Sequence, residues 1–227
     1  MNDNRTAYRA EEYDGKISAT VPHYGCFHRE TIDLVRTLRP APAKWLDTGC
    51  GTGTLVAGAL GVFPQASFVL ADPSPPMLAM AAAKLAGAAG RVEVAQPAAS
   101  QDLNFEDGSF DVVTAVLSHH YLDLPTRKRA TANCLRMLKS GGVYVTFENI
   151  RPFSEQGIRT GLDRWKGFQL REGKSAVEVE KHLARFGQEY FPITIGDHLD
   201  MLRDAGFSVA ELYWASYMQA GFWALKA

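Results

Sequence analysis

The sequence is poor in cysteine. Its 227 residues include three cysteines, Cys26, Cys50 and Cys134, and no two of them form a CxxC pair. An odd number of widely spaced cysteines argues against a disulfide framework and against a zinc site. We therefore expect a reducing compartment and no bound metal.

Long hydrophobic runs are absent too. The most apolar stretch, residues 55–71, is interrupted by glycine, proline and glutamine, so it does not offer the ~18 apolar residues of a membrane span. Residues 1–15 are polar and partly acidic, whereas a secretory signal has a basic start and an apolar core. Both features predict a soluble, cytoplasmic protein.

The chain has no excess charge of either sign. Its 24 Lys and Arg residues against 25 Asp and Glu residues give a formal net charge of −1. Because binding through phosphates requires a positive field, nucleic acid is an improbable partner. The length predicts one domain over residues 1–227, and the oligomeric state stays open, with a homodimer as one option.

From residue 44 onward, short apolar runs alternate with helical segments. This alternation is typical of βα units that build a parallel sheet, so the fold class is α/β. The expected strands are residues 44–47, 67–72, 91–95, 110–117 and 143–148, followed by a hairpin at 208–214 and 221–226. The expected helices are residues 29–38, 54–62, 125–138 and 194–205 and one that starts at Ser74-Pro75, and the segment 139–142 should end the helix before it.

Two segments fall outside the alternation. Residues 1–43 form an expected N-terminal helical arm, and residues 149–192, which are rich in aromatic and charged side chains, form an expected inserted helical cap. We expect both to cover the sheet.

The densest chemistry is the run DTGCGTG at residues 47–53, where a strand ends in glycines just before a helix. Glycine lets the backbone approach a ligand closely, and the helix start offers free N–H groups. Asp72 ends the next strand, where a carboxylate can bind both hydroxyls of a ribose. A tight turn beside an ordinary aspartate is the alternative, but two such features on adjacent strands favour a nucleoside site.

The pattern DxGxGxG differs from the GxGxxG of nicotinamide dinucleotide sites. It resembles motif I of the class I S-adenosylmethionine-dependent methyltransferases, and FEDGSFDVV at 105–113 and LKSGG at 138–142 resemble further segments of that class. The resemblance implies a doubly wound, Rossmann-like sheet of seven strands with an antiparallel C-terminal hairpin. It also implies S-adenosyl-L-methionine as cofactor and S-adenosyl-L-homocysteine as product.

The same resemblance implies contacts to each part of the cofactor. Asp72 would bind the ribose, Met77 would lie against the adenine, and Ser100 or Gln101 would replace the acid that the class often has after its third strand. The expected cofactor contacts are Asp47, Gly49, Cys50, Gly51, Gly53, Asp72, Pro73, Met77, Ser100, Gln101, Leu117 and Ser118.

Three residues are candidates for catalysis. His119 and His120 follow the fourth strand, where either imidazole could take a proton near neutral pH, and packing under the cap is the alternative for each. We rank His120 first, because the family often has a histidine there. Tyr24 would lie on the arm over the cofactor or would fasten the arm down.

Five residues are candidates for contact with the acceptor. Arg185 could hold a carboxylate or phosphate, or could pair with Glu180 or Glu189 instead. The aromatic side chains of the cap suggest an enclosed, partly apolar small molecule, although we favour core packing for most of them. The candidates are Tyr24, Asn149, Arg151, Trp165 and Arg185.

These features predict an S-adenosylmethionine-dependent methyltransferase that acts on a small molecule. The arm at residues 13–24 and the C-terminal end resemble the carboxy-S-adenosylmethionine synthase branch, in which a metabolite such as prephenate supplies the carboxyl carbon. Arg185 falls where that branch has an arginine for the added carboxylate, so such an enzyme is the first alternative. A non-catalytic S-adenosylmethionine-binding module is the second.

Overall fold

The computed structural model describes residues 4–227, so the first three residues of the expected arm lie outside the described residues. The described chain forms a seven-stranded sheet with helices on both faces, which confirms the expected α/β class. The strand order is β3-β2-β1-β4-β5-β7-β6. The strands are β1 Lys44–Thr48, β2 Ser67–Ala71, β3 Val92–Val94, β4 Phe110–Val116, β5 Leu138–Asn149, β6 Val209–Ser216 and β7 Gln219–Leu225.

The order in which successive strands join the sheet reverses between β1 and β4. From β1 the chain adds β2 and β3 on one side and then returns to add β4 and β5 on the other, all in parallel. The last two strands form an antiparallel hairpin, and β7 also pairs antiparallel with β5. In open α/β sheets the carboxyl ends of the strands at such a reversal are where ligands bind.

Eight α-helices surround the sheet in the described part of the chain. Helices α2, α3 and α4 cover one face, and α5 and α8 cover the other. Within residues 4–227, none of the helices is both long and apolar enough to cross a membrane. The helices are α1 Ala10–Lys16, α2 Tyr24–Leu38, α3 Thr54–Val62, α4 Pro75–Lys84, α5 Leu124–Met137, α6 Glu155–Arg171, α7 Ala176–Leu183 and α8 Ile195–Ala205.

The central strands are buried on both faces. Consecutive residues point to opposite sides, so that Trp45 packs with α2 and α3 while Leu46 packs with α5 and α8. Val112 and Val113 on β4 also point to opposite faces of the sheet, and all four side chains have 0% exposure. Burial on both faces explains why these strands read as continuous apolar runs.

The end of α5 differs from the sequence prediction. We expected the helix to run to residue 138 and to end at the lysine and glycines of 139–142, but α5 ends at Met137 and β5 begins at once with Leu138. Leu138 pairs with Phe110, and Lys139 Nζ lies 3.0 Å from the buried carboxylate of Asp111. A tertiary ion pair and strand pairing therefore replace the expected helix cap.

The arm and the insertion pack against each other above the carboxyl end of the sheet. The indole N–H of Trp165 on α6 donates to the carbonyl of Thr20 at 2.6 Å, and Phe27 on α2 stacks on Phe147 of β5 with ring centroids 4.7 Å apart. Lys174, which follows α6, also bonds to Thr20. Both segments thus form a roof over the region where β1 and β4 end.

Candidate active site

A cavity of about 630 Å³ lies under this roof. Its floor comes from the ends of β1, β2 and β4, and its cover comes from the arm and from Phe191 at the end of the insertion. The volume is within the ~300–1,000 Å³ range of small-molecule sites. The strand reversal and the two covering segments therefore create one partly covered candidate binding site.

The glycine turn forms one wall of the cavity. Gly49 and Gly51 both have positive φ, 65° and 53°, and the space where a Cβ of Gly51 would point holds no atom within 4 Å. A ligand can therefore approach the backbone there directly. Gly53 has another role, because a Cβ at this position would lie 3.0 Å from Leu85 and 3.2 Å from Ala81, so its small size lets α4 pack close to the turn.

Asp72 is fixed by two backbone donors. Its Oδ1 accepts the N–H of Ser74 at 2.8 Å, and its Oδ2 accepts the N–H of Gly51 at 3.0 Å. Burial raises the pKa of Asp72, while these hydrogen bonds act in the opposite direction. Each oxygen keeps a lone pair, so the carboxylate is placed to accept two neighbouring hydroxyls, as on a ribose.

Asp47 is a buried carboxyl at the end of β1. Its Oδ1 accepts the hydroxyl of Thr114 at 2.7 Å. Burial raises the pKa of Asp47 to about 7, the Thr114 hydrogen bond lowers it, and the charge of Asp72 raises it further. Since no cation compensates this group within the described residues, a positively charged ligand in the cavity would favour its ionised form.

One end of the cavity is lined by Met77, Ser100 and Gln101. Met77 is buried there and lines the wall. The hydroxyl of Ser100 is shared with Thr48 at 2.7 Å, whereas Gln101 Oε1 is buried and has no hydrogen-bond partner among residues 4–227. Of these two side chains, Gln101 is therefore the one with a free acceptor, which is the group that an exocyclic amine would need. Cys50, Pro73, Leu117 and Ser118, which the sequence put among the cofactor contacts, also line the cavity.

The arm is fastened to the glycine turn by a small polar cluster. Asp14 on α1 accepts the hydroxyl of Thr52 at 2.6 Å and the ammonium of Lys84 at 2.7 Å. Lys84 also donates to Thr54 at the start of α3 at 2.9 Å. These contacts join three elements that are far apart in the sequence, and sequence reasoning gave no sign of them.

A fully buried carboxylate supports the turn after β4. Glu148 Oε1 accepts the N–H of His119 at 3.2 Å and the hydroxyl of Thr146 at 2.8 Å, and Oε2 accepts the N–H of His120 at 2.9 Å. Burial acts to raise the pKa of Glu148, but the hydrogen bond from the His120 ring and the neighbouring positive groups lower it to about 2. An ionised Glu148 therefore holds the turn through its backbone donors.

Arg127 on α5 holds the same turn through its carbonyls. Its Nε donates to the carbonyl of His119 at 3.0 Å, and its Nη2 donates to those of Leu122 at 3.2 Å and Phe191 at 2.6 Å. The arginine is completely buried. Arg127 thus joins the turn after β4 to the end of the insertion, two segments that both line the cavity.

Both ring nitrogens of His120 already have partners. Nδ1 lies 2.8 Å from Glu148 Oε2, and Nε2 lies 3.3 Å from Asn149 Nδ2. Gln219 donates to Asn149 Oδ1 at 3.0 Å, which makes the Asn149 amide nitrogen the donor to His120. This network assigns a neutral ring with its proton on Nδ1. It contradicts the expectation that His120 ranks first as a proton acceptor, because its only lone pair is used.

His119 is also enclosed. Its Nδ1 lies 3.3 Å from the hydroxyl of Tyr144, and its Nε2 is buried with no hydrogen-bond partner in the described chain. Burial lowers the pKa of His119 to about 4, although the charge of Glu148 raises it. The side chain is therefore neutral at pH 7 and is a weak base.

Aromatic side chains form the other end of the cavity. Tyr24, an expected site residue, lies with its ring centroid 6.3 Å from that of Tyr13 and 4.9 Å from that of His28. Sequence reasoning did not select Tyr13, His28 or Tyr121, which also line this end. The sequence does contain a signal for two of these residues. His28 follows Tyr24 by four positions, so both lie on one helix face, and Tyr121 directly follows the two histidines.

A small cavity of about 20 Å³ lies behind Tyr121 and contains Arg185 and Asn149 in its wall. Arg185 is nearly buried, and its Nε donates to Glu189 at 2.6 Å while its Nη2 donates to the carbonyl of Arg5 at 2.7 Å. The pairing with Glu189 was one of the alternatives that the sequence left open. The guanidinium therefore also fastens the arm.

Two expected acceptor contacts lie elsewhere. Trp165 is completely buried in the core between the arm and the insertion, where its indole nitrogen is bonded to Thr20. Arg151 is exposed and forms an ion pair with Glu155 one helical turn away at 2.8 Å. Both positions are explained by packing and by local charge, and neither side chain borders the 630 Å³ cavity of the described chain.

Comparison with known proteins agrees with this geometry. Residues 46–142, from β1 to the start of β5, match the family model of the methyltransferase domain. A carboxy-S-adenosyl-L-methionine synthase from Methylococcus capsulatus is 25% identical over 96% of this chain and 90% of its own length. A demethylmenaquinone methyltransferase from Thermus thermophilus is 34% identical over 54% of this chain and 53% of its own.

A solved structure shares the fold. An O-methyltransferase family 2 protein from Planctomyces limnophilus superimposes with a TM-score of 0.67 and 15% identity, covering 98% of this chain; the chain spans 63% of that protein's length. These matches support the class I S-adenosylmethionine-dependent methyltransferase superfamily, which the resemblance to motif I predicted. The matches also support S-adenosylmethionine as the cofactor, and the relatives matched over most of the length of this chain include carboxy-S-adenosyl-L-methionine synthases.

Proposed function

We propose that the enzyme transfers the methyl group of S-adenosylmethionine to a small aromatic molecule. The observation that carries this proposal is the division of the cavity into two unlike ends. One end offers the glycine turn, Asp72 and a free acceptor on Gln101, and the other offers phenol rings and apolar side chains. The first end fits the cofactor, and the second is left for the acceptor.

The residues of the cofactor end have distinct proposed roles. Asp72 binds the two ribose hydroxyls, Gln101 accepts the adenine amine, and Asp47 supplies a negative charge to the positively charged cofactor. The open backbone at Gly51 makes room for the methionine part, and the absence of a side chain at Gly49 lets Ser118 pack against the turn, since a Cβ there would lie 2.3 Å from the Cβ of Ser118. When bound, the cofactor supplies an electrophilic methyl group.

The residues of the acceptor end orient the acceptor and exclude water. Tyr13, Tyr24 and Tyr121 have pKa values raised by burial, so their hydroxyls stay protonated and can donate hydrogen bonds. The arm and Phe191 cover the site. Because methyl transfer needs mainly alignment of the nucleophile with the methyl carbon, this enclosure supplies the principal requirement.

A carboxy-S-adenosylmethionine synthase-like activity is a second candidate. It is supported by the similarity over most of the chain to such synthases and by Arg185, which lies behind Tyr121 where it could meet a carboxylate. In the described structure Arg185 is bonded to Glu189 and to the Arg5 carbonyl, so a carboxylate would have to displace one of these partners. We therefore keep methyl transfer first.

One experiment separates these functions and the binding module. The protein is purified without added ligand and denatured, the released nucleoside is identified by mass spectrometry, and S-adenosylhomocysteine is titrated into the emptied protein by calorimetry. S-adenosylmethionine or S-adenosylhomocysteine supports methyl transfer, and a carboxylated cofactor supports the second candidate. Binding without turnover of any acceptor would leave the non-catalytic module, and no binding heat would overturn all three.

Two finer predictions from the sequence also remain proposals. We propose a cytoplasmic location, supported by the free thiols of Cys26, Cys50 and Cys134. A homodimer stays an option, and sedimentation of the purified protein tests it.

A further inference from the structure

We propose that His28 takes up the proton of the methyl acceptor, a neutral aromatic molecule that carries its nucleophile as an O–H or N–H group. This inference rests on the proposed methyl transfer. His28 lies on α2, in the N-terminal arm, and its partly buried side chain borders the acceptor end of the cavity. The arm therefore supplies a catalytic group as well as part of the cover.

The imidazole of His28 has no hydrogen-bond partner within residues 4–227. Burial and the charges of Lys84 and Asp14 act on the ring, and no hydrogen bond to either ring nitrogen acts beside them. The ring meets that of Tyr24 edge to face, with centroids 4.9 Å apart and planes at 83°. This aromatic contact holds the ring without using a nitrogen, so both nitrogens stay available to a ligand in the cavity.

The other five histidines of the chain lack a ring nitrogen that is free to act in this cavity. His119 and His120 belong to the network at the turn after β4, and the unpaired nitrogen of His119 is sealed from solvent. His182 and His198 are buried in other parts of the described chain, and His23 is exposed outside the cavity. The position of His28 is therefore distinct among the histidines.

The charged residues around the cavity favour an acceptor that enters without a negative charge. Three aspartates, Asp47, Asp72 and Asp123, line the cavity together with one arginine, Arg5, whose Nη1 donates to the carbonyl of Tyr121 at 2.9 Å. An anionic nucleophile would be repelled by this mainly acidic lining. A neutral acceptor has to give up a proton as it is methylated, and a base placed beside it speeds that loss.

The surroundings of His28 keep its ring unprotonated. Burial lowers the pKa of His28 to about 4, the ammonium of Lys84 lowers it as well, and the carboxylate of Asp14 raises it. Lys84 and Asp14 pair with each other at 2.7 Å, so their charges partly cancel at the ring. Burial also raises the pKa of Tyr24, whose phenol stays protonated. At pH 7 the ring of His28 is therefore neutral and has one lone pair to offer.

A base of low pKa is sufficient for this reaction. Positive charge develops on the nucleophilic atom as it bonds to the methyl carbon, so its O–H or N–H proton becomes strongly acidic during the step. His119 has a similarly low pKa, but its unpaired nitrogen is enclosed in the protein interior. Access to the cavity, and not basicity, therefore distinguishes His28 from His119.

The proposed step is balanced in atoms and electrons. The nucleophilic oxygen or nitrogen uses a lone pair to bond to the methyl carbon, and the bond between that carbon and the sulfonium sulfur breaks with its electron pair left on sulfur. The electron pair of the O–H or N–H bond stays on the nucleophile while the proton moves to the lone pair of the His28 ring. Because the ring is only partly buried, the imidazolium then releases this proton to solvent.

Three acceptors of similar shape test this role. 4-Methylphenol, 4-methylaniline and 4-methylthiophenol are offered to the wild type and to His28→Gln, whose amide accepts a hydrogen bond but cannot take a proton. For whichever of the first two is methylated, we expect kcat to fall about 10²–10⁴-fold with KM within about threefold. The thiol ionises in solution without a base, so its kcat should fall less than about threefold. Equal losses for all acceptors, or methylation of the thiol alone by the wild type, would overturn the proposal.

His23→Gln is the matched control, because His23 directly precedes α2 but is exposed and lies outside the cavity. We expect it to leave kcat unchanged, and a loss equal to that of His28→Gln would contradict the role of His28. In the wild type, kcat/KM for 4-methylphenol should stay constant between about pH 6 and pH 8, because neither the ring nor the phenol changes its charge there. A rise of about tenfold per pH unit would show that the phenol reacts only after ionising in solution.

Equilibrium binding gives a second reading that needs no turnover. 4-Methylphenol and 4-methylanisole, which lacks the hydroxyl proton, are titrated by calorimetry into the protein loaded with S-adenosylhomocysteine. We expect the wild type to prefer the phenol by about three- to tenfold and His28→Leu to lose this preference. Weaker binding of S-adenosylhomocysteine in His28→Leu would place the ring against the cofactor and overturn the proposal.

The same titrations separate failure of this inference from failure of the proposed function. Binding of S-adenosylhomocysteine with no binding of 4-methylphenol or 4-methylaniline overturns the acceptor class. No binding of S-adenosylhomocysteine to the wild type overturns the proposed function itself.

Discussion

The two ends of the cavity are built in different ways. The cofactor end is formed by short local segments, a glycine turn and strand-end carboxylates, whose positions follow from the parallel sheet. The acceptor end is assembled from the arm, the turn after β4 and the end of the insertion, joined by hydrogen bonds such as that from Arg127 to Phe191. The proposed cofactor end therefore depends on local geometry, and the proposed acceptor end depends on long-range packing.

The largest effect should come from substituting Arg127, which joins two of the segments that form the acceptor end. In Arg127→Met three backbone carbonyls lose their donor and buried Glu148 loses a compensating charge, which costs about 3–5 kcal/mol of unfolding free energy. We also expect faster hydrogen exchange in residues 118–122 and 190–193. Urea denaturation and hydrogen-exchange mass spectrometry measure these changes.

Arg136→Met is the matched control on the same helix. Arg136 also donates to carbonyls, those of Leu103 and Phe105, but it lies away from the cavity and pairs with the exposed Asp107. We expect a loss of about 1 kcal/mol and unchanged exchange at residues 118–122. If both substitutions changed hydrogen exchange at residues 118–122 equally, Arg127 would have no special role in holding the acceptor end together.

At the cofactor end, substitution of Asp72 should weaken cofactor binding. Asp72→Ala removes the acceptor for two ribose hydroxyls and for the N–H of Gly51, so we expect about 100-fold weaker binding of S-adenosylhomocysteine, or about 3 kcal/mol. Calorimetry measures the affinity. Asp107→Ala, an exposed carboxylate far from the cavity, is the control, and an unchanged affinity in Asp72→Ala would remove the ribose assignment.

Two buried carboxyls, one at each end, should give opposite pH dependences. The pKa of Asp47 is raised by burial from 3.8 to about 7, so its contribution to stability is present below about pH 4 and lost as the pH rises to about 7. The pKa of Glu148 is lowered from 4.5 to about 2 by its hydrogen bonds despite burial, so its contribution is present above pH 4.5 and lost as the pH falls toward 2.

Amide variants test this contrast by urea unfolding across pH without cofactor. Asp47→Asn should be more stable than the wild type at neutral pH, and Glu148→Gln less stable, each on the order of 1–3 kcal/mol. Asp47→Asn should also bind S-adenosylhomocysteine more weakly. The same sign of change in both variants at neutral pH would refute the opposite ionisation of the two groups.

The smallest effect should come from Arg151→Ala, which tests whether Arg151 lies outside the acceptor end. Arg151 is exposed and pairs only one turn away with Glu155, so we expect a change in unfolding free energy within about 0.5 kcal/mol. The KM of an acceptor that the wild type methylates should remain within about threefold of the wild-type value. A large rise in KM would place Arg151 back among the acceptor contacts.

Much of the fold was predictable because its signals are local. The glycine turn, the acid after β2 and the helix start at Ser74-Pro75 each depend on neighbouring residues, and the structure has Ser74 capping α4 through Met77 N–H. The end of α5 was predicted wrongly at residues 138–142, because Lys139 has the ion partner Asp111 on β4, far away in sequence. Local rules do not contain that partner.

The candidate catalytic residues show the same limit. Sequence position correctly put the turn of His119 and His120 next to the cavity, but it ranked His120 as a base without knowing the acceptor and donor on its ring. Trp165 had both a core and a substrate interpretation, and its bond to Thr20 across the chain supports the core. In each case a contact distant in sequence settled the role.

The sequence by itself determined the sheet, the turn proposed to receive the cofactor and the carboxylate proposed to bind its ribose, because backbone conformation and strand periodicity are properties of adjacent residues. Only the tertiary structure decided how the arm and the insertion cover the cavity and which ionisable groups lie beside it. The reason is physical: the ionisation of Asp47 and Glu148 and the proton position on His120 are set by burial and by hydrogen bonds from other segments, and those exist only after the chain has folded.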